Sequence, residues 1–200
     1  MNKFVLATAN IGKINEMRSI LNELDISVIT RDELGITIDI EETGTTFLEN
    51  ATLKAKAICI ASGLPAIADD SGLIVESLDG RPGLYSSSYG GDTLSGKERC
   101  EFLLSEIKKM EHRAAKFVCT IICIFPSGDI LSATGECHGK ISWQIQGSGG
   151  FGYDPVFIPE GMNETIAELS QEEKNAISHR GVALREFVEK LKAYYAGNQK

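Results

Sequence analysis

The stretch that most constrains this chain is residues 65–72, PAIADDSG, a short apolar run that stops at two adjacent carboxylates, Asp69 and Asp70, followed by Ser71 and Gly72. Ala66, Ile67 and Ala68 are apolar without alternation, as in a strand covered on both faces, and Ser71-Gly72 reads as a turn at its carboxyl end. In open α/β sheets, ligands sit at that edge. Neighbouring side chains on a strand point to opposite faces, so Asp69 and Asp70 face one ligand together only if the turn has already begun. Asp70, beside the expected turn, is read as the chemical carboxylate; the competing reading is that both acids cap the turn.

Two hundred residues, 42% apolar and 24% charged, suffice for one sizeable core or two small lobes, and a folded rather than disordered chain is expected. The longest apolar run, residues 117–125, is far short of the roughly 20 residues of a membrane helix. The start, MNKFVLAT, enters a strand pattern without a leader-like segment, so no membrane partner and a cytoplasmic location are expected. The five cysteines form no CxxC pair and are expected as buried free thiols. A net charge of −8 argues against a nucleic-acid partner but not against a small phosphorylated ligand.

Residues 3–8 read as a strand and residues 11–24 as a helix with a stripe of Ile11, Ile14, Met17, Ile20, Leu21 and Leu24. The joint between them, Thr8, Ala9, Asn10, Ile11, Gly12 and Lys13, combines an N-cap, helix-start N–H groups and an ammonium, the makings of an anion site. The Walker pattern is absent, and an ordinary capped turn is the alternative. Short strands are expected at 26–30 and 36–40, the second running into Glu41-Glu42. A Thr46–Glu49 capping box then opens a helix over 47–61 that carries Lys54. Two carboxylate pairs flanked by lysines suit a magnesium–phosphate site. Further on, residues 84–93 form a Gly/Ser/Tyr-rich loop, Ser95 caps a helix to about Lys109, residues 115–125 and 130–138 make a hairpin, and residues 140–146 a further strand. Residues 147–155, GSGGFGYDP, have the composition of a loop that approaches a ligand closely, with Phe151 or Tyr153 available to stack on a planar base; aromatics tucked into a core are the alternative. His179-Arg180 opens the last helix, where cations oppose the macrodipole, and that misfit hints at function.

Taken together, TANIGK (8–13), EETGTTFLENA (41–51), Lys54, ADDSGL (68–73), GGFGYDP (149–155) and EKNAISHRG (173–181) resemble the inosine triphosphate pyrophosphatase family, in this order and across nearly the whole chain. Members hydrolyse non-canonical purine nucleoside triphosphates to the monophosphate and pyrophosphate. The resemblance implies an α/β fold, an elongated mixed β-sheet flanked by helices with two lobes around a central nucleotide-binding cleft, as a single domain over residues 1–200 and usually a homodimer. It implies that Thr8, Ala9, Asn10, Ile11, Gly12 and Lys13 hold the triphosphate with Lys54 and Ser71, that Glu42 and Asp70 bind Mg2+, and that Asp70 is catalytic. Phe151, Gly152, Tyr153, Asp154, Lys174, His179 and Arg180 are similar to its base-recognition set. Ala9 stands where many members carry Gly, and Ser88 where many bacterial members carry Arg. The competing functions are a Maf-type pyrophosphatase for pyrimidine or modified nucleotides, and a nucleotide sensor without turnover.

Overall fold

Residues 3–197 are described in the computed structural model of the protein. Strand β1 (Phe4–Leu6) leads into helix α1 (Ile11–Glu23), where Asn10 is the N-cap and its side chain accepts the N–H of Lys13. Four residues of the expected stripe, Ile14, Met17, Ile20 and Leu21, are buried, whereas Ile11 is 65% exposed. After β2 (Val28–Thr30), the Thr46–Glu49 capping box opens α2 (Phe47–Ser62), which Gly63 ends in the left-handed region. There follow β3 (Ala66–Val75), α3 (Gly96–Glu106), the hairpin of β4 (Ala114–Ile124) and β5 (Ile130–Ile141), β6 (Phe157–Pro159), α4 (Gln171–Ile177) and α5 (His179–Gly197). The strands form one sheet in the order β2-β1-β3-β4-β5-β6, with β1 parallel to β2 and β3, and β5 antiparallel to β6. This is the mixed α/β sheet expected.

The chain divides into unit 1, Met1–Asp70, Cys119–Gly135 and Arg180–Lys200, and unit 2, Ser71–Val118 and Glu136–His179. In unit 1 the strands are covered on both faces, and alternation sorts their residues into two apolar layers. Phe4, Leu6, Ile67, Cys119, Ile121 and Cys123 pack with residues of α1 and α5. Val5, Ala7, Ala66, Ala68, Ile122 and Ile124 pack with Ala51, Ala55, Ile58 and Cys59 of α2. In unit 2, Leu73, Val75, Ala115, Phe117, Cys137 and Phe157 form a core with Cys100, Leu103 and Ile107 of α3. All five cysteines are buried and free, as expected. Among the described residues no helix is long and apolar enough to cross a membrane.

Three local expectations change, and one strand was not expected. Ser71-Gly72 is not a turn, because β3 continues through it to Val75. The segment at 36–40 is not a strand: the Arg31 guanidinium takes the Ile36 and Ile38 carbonyls, at 3.3 and 2.7 Å, in place of a neighbouring strand. The strand expected at 140–146 is instead the end of β5. Beyond Ile141 the chain bends, with Arg113 bonded to the carbonyls of Ile141 and Ser142. Strand β6, three residues long, was too short to be read from pattern.

Candidate active site

Because β3 passes straight through the two aspartates, their side chains leave on opposite faces of the sheet. Ala66 and Ala68 belong to the α2 layer and Ile67 to the α1/α5 layer, so Asp70 follows the alanines and Asp69 follows Ile67. Two charge clusters result, both within unit 1.

On the α2 side, Lys54 Nζ bridges Glu42 Oε2 at 2.8 Å and Asp70 Oδ1 at 3.3 Å. The other oxygen of Asp70 accepts from Asn50 Nδ2 at 3.3 Å, while Asn50 Oδ1 accepts the Gly44 N–H at 2.8 Å. That second bond fixes which end of the amide faces Asp70. It also ties the loop carrying Glu42 to α2. A Cβ at Gly44 would lie 2.6 Å from Asn50 Oδ1, so this approach requires glycine. Asn50 and Lys54 stand four apart on α2, on the same side as Ala51 and Ala55. The sequence reading overlooked Asn50, although its spacing one turn before Lys54 was the available signal. Burial, and secondarily Glu42, hold the Asp70 carboxyl above its ordinary pKa against the pull of Lys54 and Lys13. Burial opposes the charge on Lys54, but Asp70, Asp69 and Glu42 together raise its pKa.

On the other face, Asp69 is fully buried. Its Oδ2 receives Lys13 Nζ at 3.0 Å and the Nε and Nη2 of Arg180 at 3.2 and 2.9 Å, and Arg180 Nη1 reaches Glu16 at 2.8 Å. Burial alone would raise the Asp69 pKa, but Lys13, Arg180 and Lys54 outweigh it and hold the carboxyl well below the usual range. Two neighbouring carboxyls with environments pushing in opposite directions have separate roles: Asp69 is a locked counter-ion and Asp70 the better proton acceptor. The cation at the start of α5 is accounted for in the same way, since two carboxylates offset the dipole that opposes it.

The turn before α1 is ordered from within, the Asn10 N–H donating to Thr8 Oγ1 at 3.1 Å. Ala9, Asn10 and Ile11 are exposed, and Lys13, in the first turn of α1, is half-buried. Ala9 is not among the described non-glycine residues with positive φ, so its departure from glycine carries no backbone strain. The Ser88 hydroxyl turns to the Tyr85 carbonyl at 3.5 Å.

Unit 2 holds the third cluster. Asp154 Oδ2 accepts from the Phe151 N–H and from Lys174 Nζ, both at 2.7 Å, and the Lys174 ammonium lies 4.5 Å from the centre of the Phe151 ring. Gly150, at φ +68°, passes so close that a Cβ would stand 2.1 Å from Asp154 Oδ2. The two aromatics divide. Tyr153 is buried, its hydroxyl donating to the Ser86 carbonyl at 3.0 Å, and Phe151 is half-buried. Cys100 Sγ meets the Gly152 carbonyl at 3.3 Å. His179 is buried and stacked on Phe117, with centroids 4.7 Å apart and planes 11° from parallel. Ser71 is half-buried on β3. Arg180 is 1% exposed, and its side chain belongs to the unit 1 cluster with Asp69 and Glu16.

The model of the Ham1 family matches residues 4–190. A dITP/XTP pyrophosphatase of Aquifex aeolicus is 47% identical, covering 95% of this chain and 96% of the relative, and one of Gluconobacter oxydans is 46% identical over 94% and 89%. The solved Ham1 protein of Staphylococcus aureus superposes with a TM-score of 0.85 at 40% identity, covering 96% of this chain and 99% of that one. A HAM1 protein from Coxiella burnetii gives 0.86 at 40% identity, over 96% and 100%. With this agreement in sequence and fold along nearly its whole length, the chain belongs to the Ham1 family.

Proposed function

We propose that the protein is a nucleoside triphosphate pyrophosphohydrolase that converts inosine, deoxyinosine and xanthosine triphosphates to the monophosphate and pyrophosphate, clearing them from the nucleotide pool. The carrying observation is the division of Asp69 and Asp70 into a locked anion and a carboxyl of raised pKa beside lysine and an orienting asparagine. The names of the relatives point to dITP and XTP among these substrates.

Asp70 accepts a proton from water; the water oxygen bonds to the α-phosphorus, the bond to the bridging oxygen breaks, and that electron pair leaves with pyrophosphate. Lys13, Lys54, Ser71 and the N–H groups of the turn at residues 8–13 hold the triphosphate and balance its charge. Among the described residues no group of three or more His, Cys, Asp or Glu is placed to hold a metal, while Glu42 and Asp70 share one ammonium. Two carboxylates fit Mg2+, which draws its remaining ligands from water and substrate phosphates. Bound by Glu42 and Asp70, it would supply charge neutralisation on the phosphate oxygens.

Phe151, Gly152, Tyr153, Asp154, Lys174, His179 and Arg180 make up the proposed base-reading set. In this reading Phe151, half-buried where Tyr153 is buried, stacks on the base, and Lys174, whose ammonium has three N–H donors and is bonded to Asp154, is the first donor toward a six-oxo purine. Adenine presents an amino group there, and two donors facing each other reject ATP. The protein works as a cytoplasmic homodimer, which sedimentation tests. Pyrophosphate release from dITP and XTP, with ATP and UTP as comparators and with and without Mg2+, tests the activity. Preference for UTP would support the Maf-type reading, and binding without release the sensor.

A further inference from the structure

The geometry points to Asp69 as a positioning residue for Lys13: its buried carboxylate holds the ammonium at the mouth of the turn at residues 8–13, in place to receive a phosphate. This rests on the proposed hydrolysis of a nucleoside triphosphate and gives a role to the aspartate that the reaction itself does not use.

Four charged groups from three elements meet here, Lys13 and Glu16 from α1, Asp69 from β3 and Arg180 from α5. Two cations face two carboxylates, so the cluster is neutral and can be buried. Within it the exposures are graded. The Asp69 side chain is 0% exposed, those of Arg180 and Glu16 are 1% and 2%, and that of Lys13 is 15%. Lys13 is thus the one member with a route outward.

The contacts on Asp69 are also lopsided. Oδ2 takes Lys13 Nζ and two guanidinium N–H groups, and the Cys119 thiol lies 3.9 Å from it, while the buried Oδ1 has no partner. Arg180 holds Oδ2 directly through Nε and Nη2, and the same oxygen sets the place of the ammonium. A free lysine carries rotamer entropy that an anion must otherwise overcome on binding. An ammonium has three N–H donors, so a bond to Asp69 leaves others for a phosphate. A side chain held beforehand binds its ligand more tightly than one that must be ordered by it.

The test is a double-mutant cycle of Asp69→Asn and Lys13→Ala, read as KM and kcat for dITP in pyrophosphate release, with a thermal melt on every variant. If Asp69 acts through Lys13, Asp69→Asn raises KM about tenfold in the wild-type background, changes kcat less, and adds under about twofold once Lys13 is alanine. A lower melting temperature alone, or a change in KM of equal size in both backgrounds, overturns the inference. Glu16→Gln is the matched control: it disturbs the same guanidinium without touching Lys13 and is expected to lower the melting temperature while KM stays within about twofold. A KM that rises as much in Glu16→Gln as in Asp69→Asn also overturns it. Should Asp69→Asn fail to fold, Asp69→Glu in the two Lys13 backgrounds asks the same question with the charge retained. A wild-type protein that releases no pyrophosphate from dITP sinks the proposed function instead, before Asp69 is examined.

Discussion

Asp70 and Asn50 carry the sharpest expectations for single side chains. Asp70→Asn keeps the shape but removes the proton acceptor and the anion, so pyrophosphate release is expected to fall roughly 10²- to 10⁴-fold with little change in melting temperature. Near-normal turnover would move the base to another carboxyl. Asn50→Ala strands the Gly44 N–H and frees one oxygen of Asp70. Losing an oriented hydrogen bond at a buried group costs about 1–3 kcal/mol, so kcat is expected to drop about tenfold or more. An Asn50→Ala enzyme with wild-type kcat would show that Asp70 needs no such support. Lys174→Met removes the donor proposed to read the six-oxo group, and the ratio of kcat/KM for dITP over ATP is expected to fall at least about tenfold. A ratio left at the wild-type value would take Lys174 out of base selection.

Among the elements, the loop at residues 147–155 separates two ways in which glycine is required. Gly150 and Gly152 both have positive φ, at 68° and 62°. A Cβ at Gly152 meets nothing within 4 Å, whereas at Gly150 it meets the carboxylate of Asp154 at 2.1 Å. Gly152→Ala therefore bears the left-handed strain alone, about 1–2 kcal/mol. Gly150→Ala must also displace Asp154, and with it Lys174 and the Phe151 N–H. Steady-state kinetics on both variants is expected to show the larger loss of kcat/KM for dITP in Gly150→Ala; equal losses would mean that strain, not the Asp154 contact, governs this loop.

For the molecule as a whole, Asp69 links stability to pH. Its folded pKa lies below the unfolded value, about 3.9, so its contribution is present above that pH and is lost as pH falls through the unfolded value and on toward the folded one. Asp69→Asn has no such carboxyl to protonate. Thermal melts from about pH 7 to about pH 3 are expected to show the wild type ahead at neutral pH and the two proteins converging in acid. Parallel curves would deny Asp69 its coupling to the cations around it.

Much of this was legible in the residues because it depends on neighbours along the chain. The caps of α1 and α2, the apolar stripes and the opposed directions of Asp69 and Asp70 follow from helix and strand periodicity. The same logic misled at Ser71-Gly72, since a serine and a glycine suit a turn but do not force one, and the packing of Leu73 and Val75 in unit 2 keeps the strand going. Which side chains meet across the fold had no local signature. That Asp69 would find Arg180, 111 residues away, that Asn50 would orient Asp70, and that Tyr153 would turn inward while Phe151 stayed half-buried depend on contacts between segments far apart in sequence. Periodicity states which face a residue occupies; it carries no information about what the folded chain brings to that face.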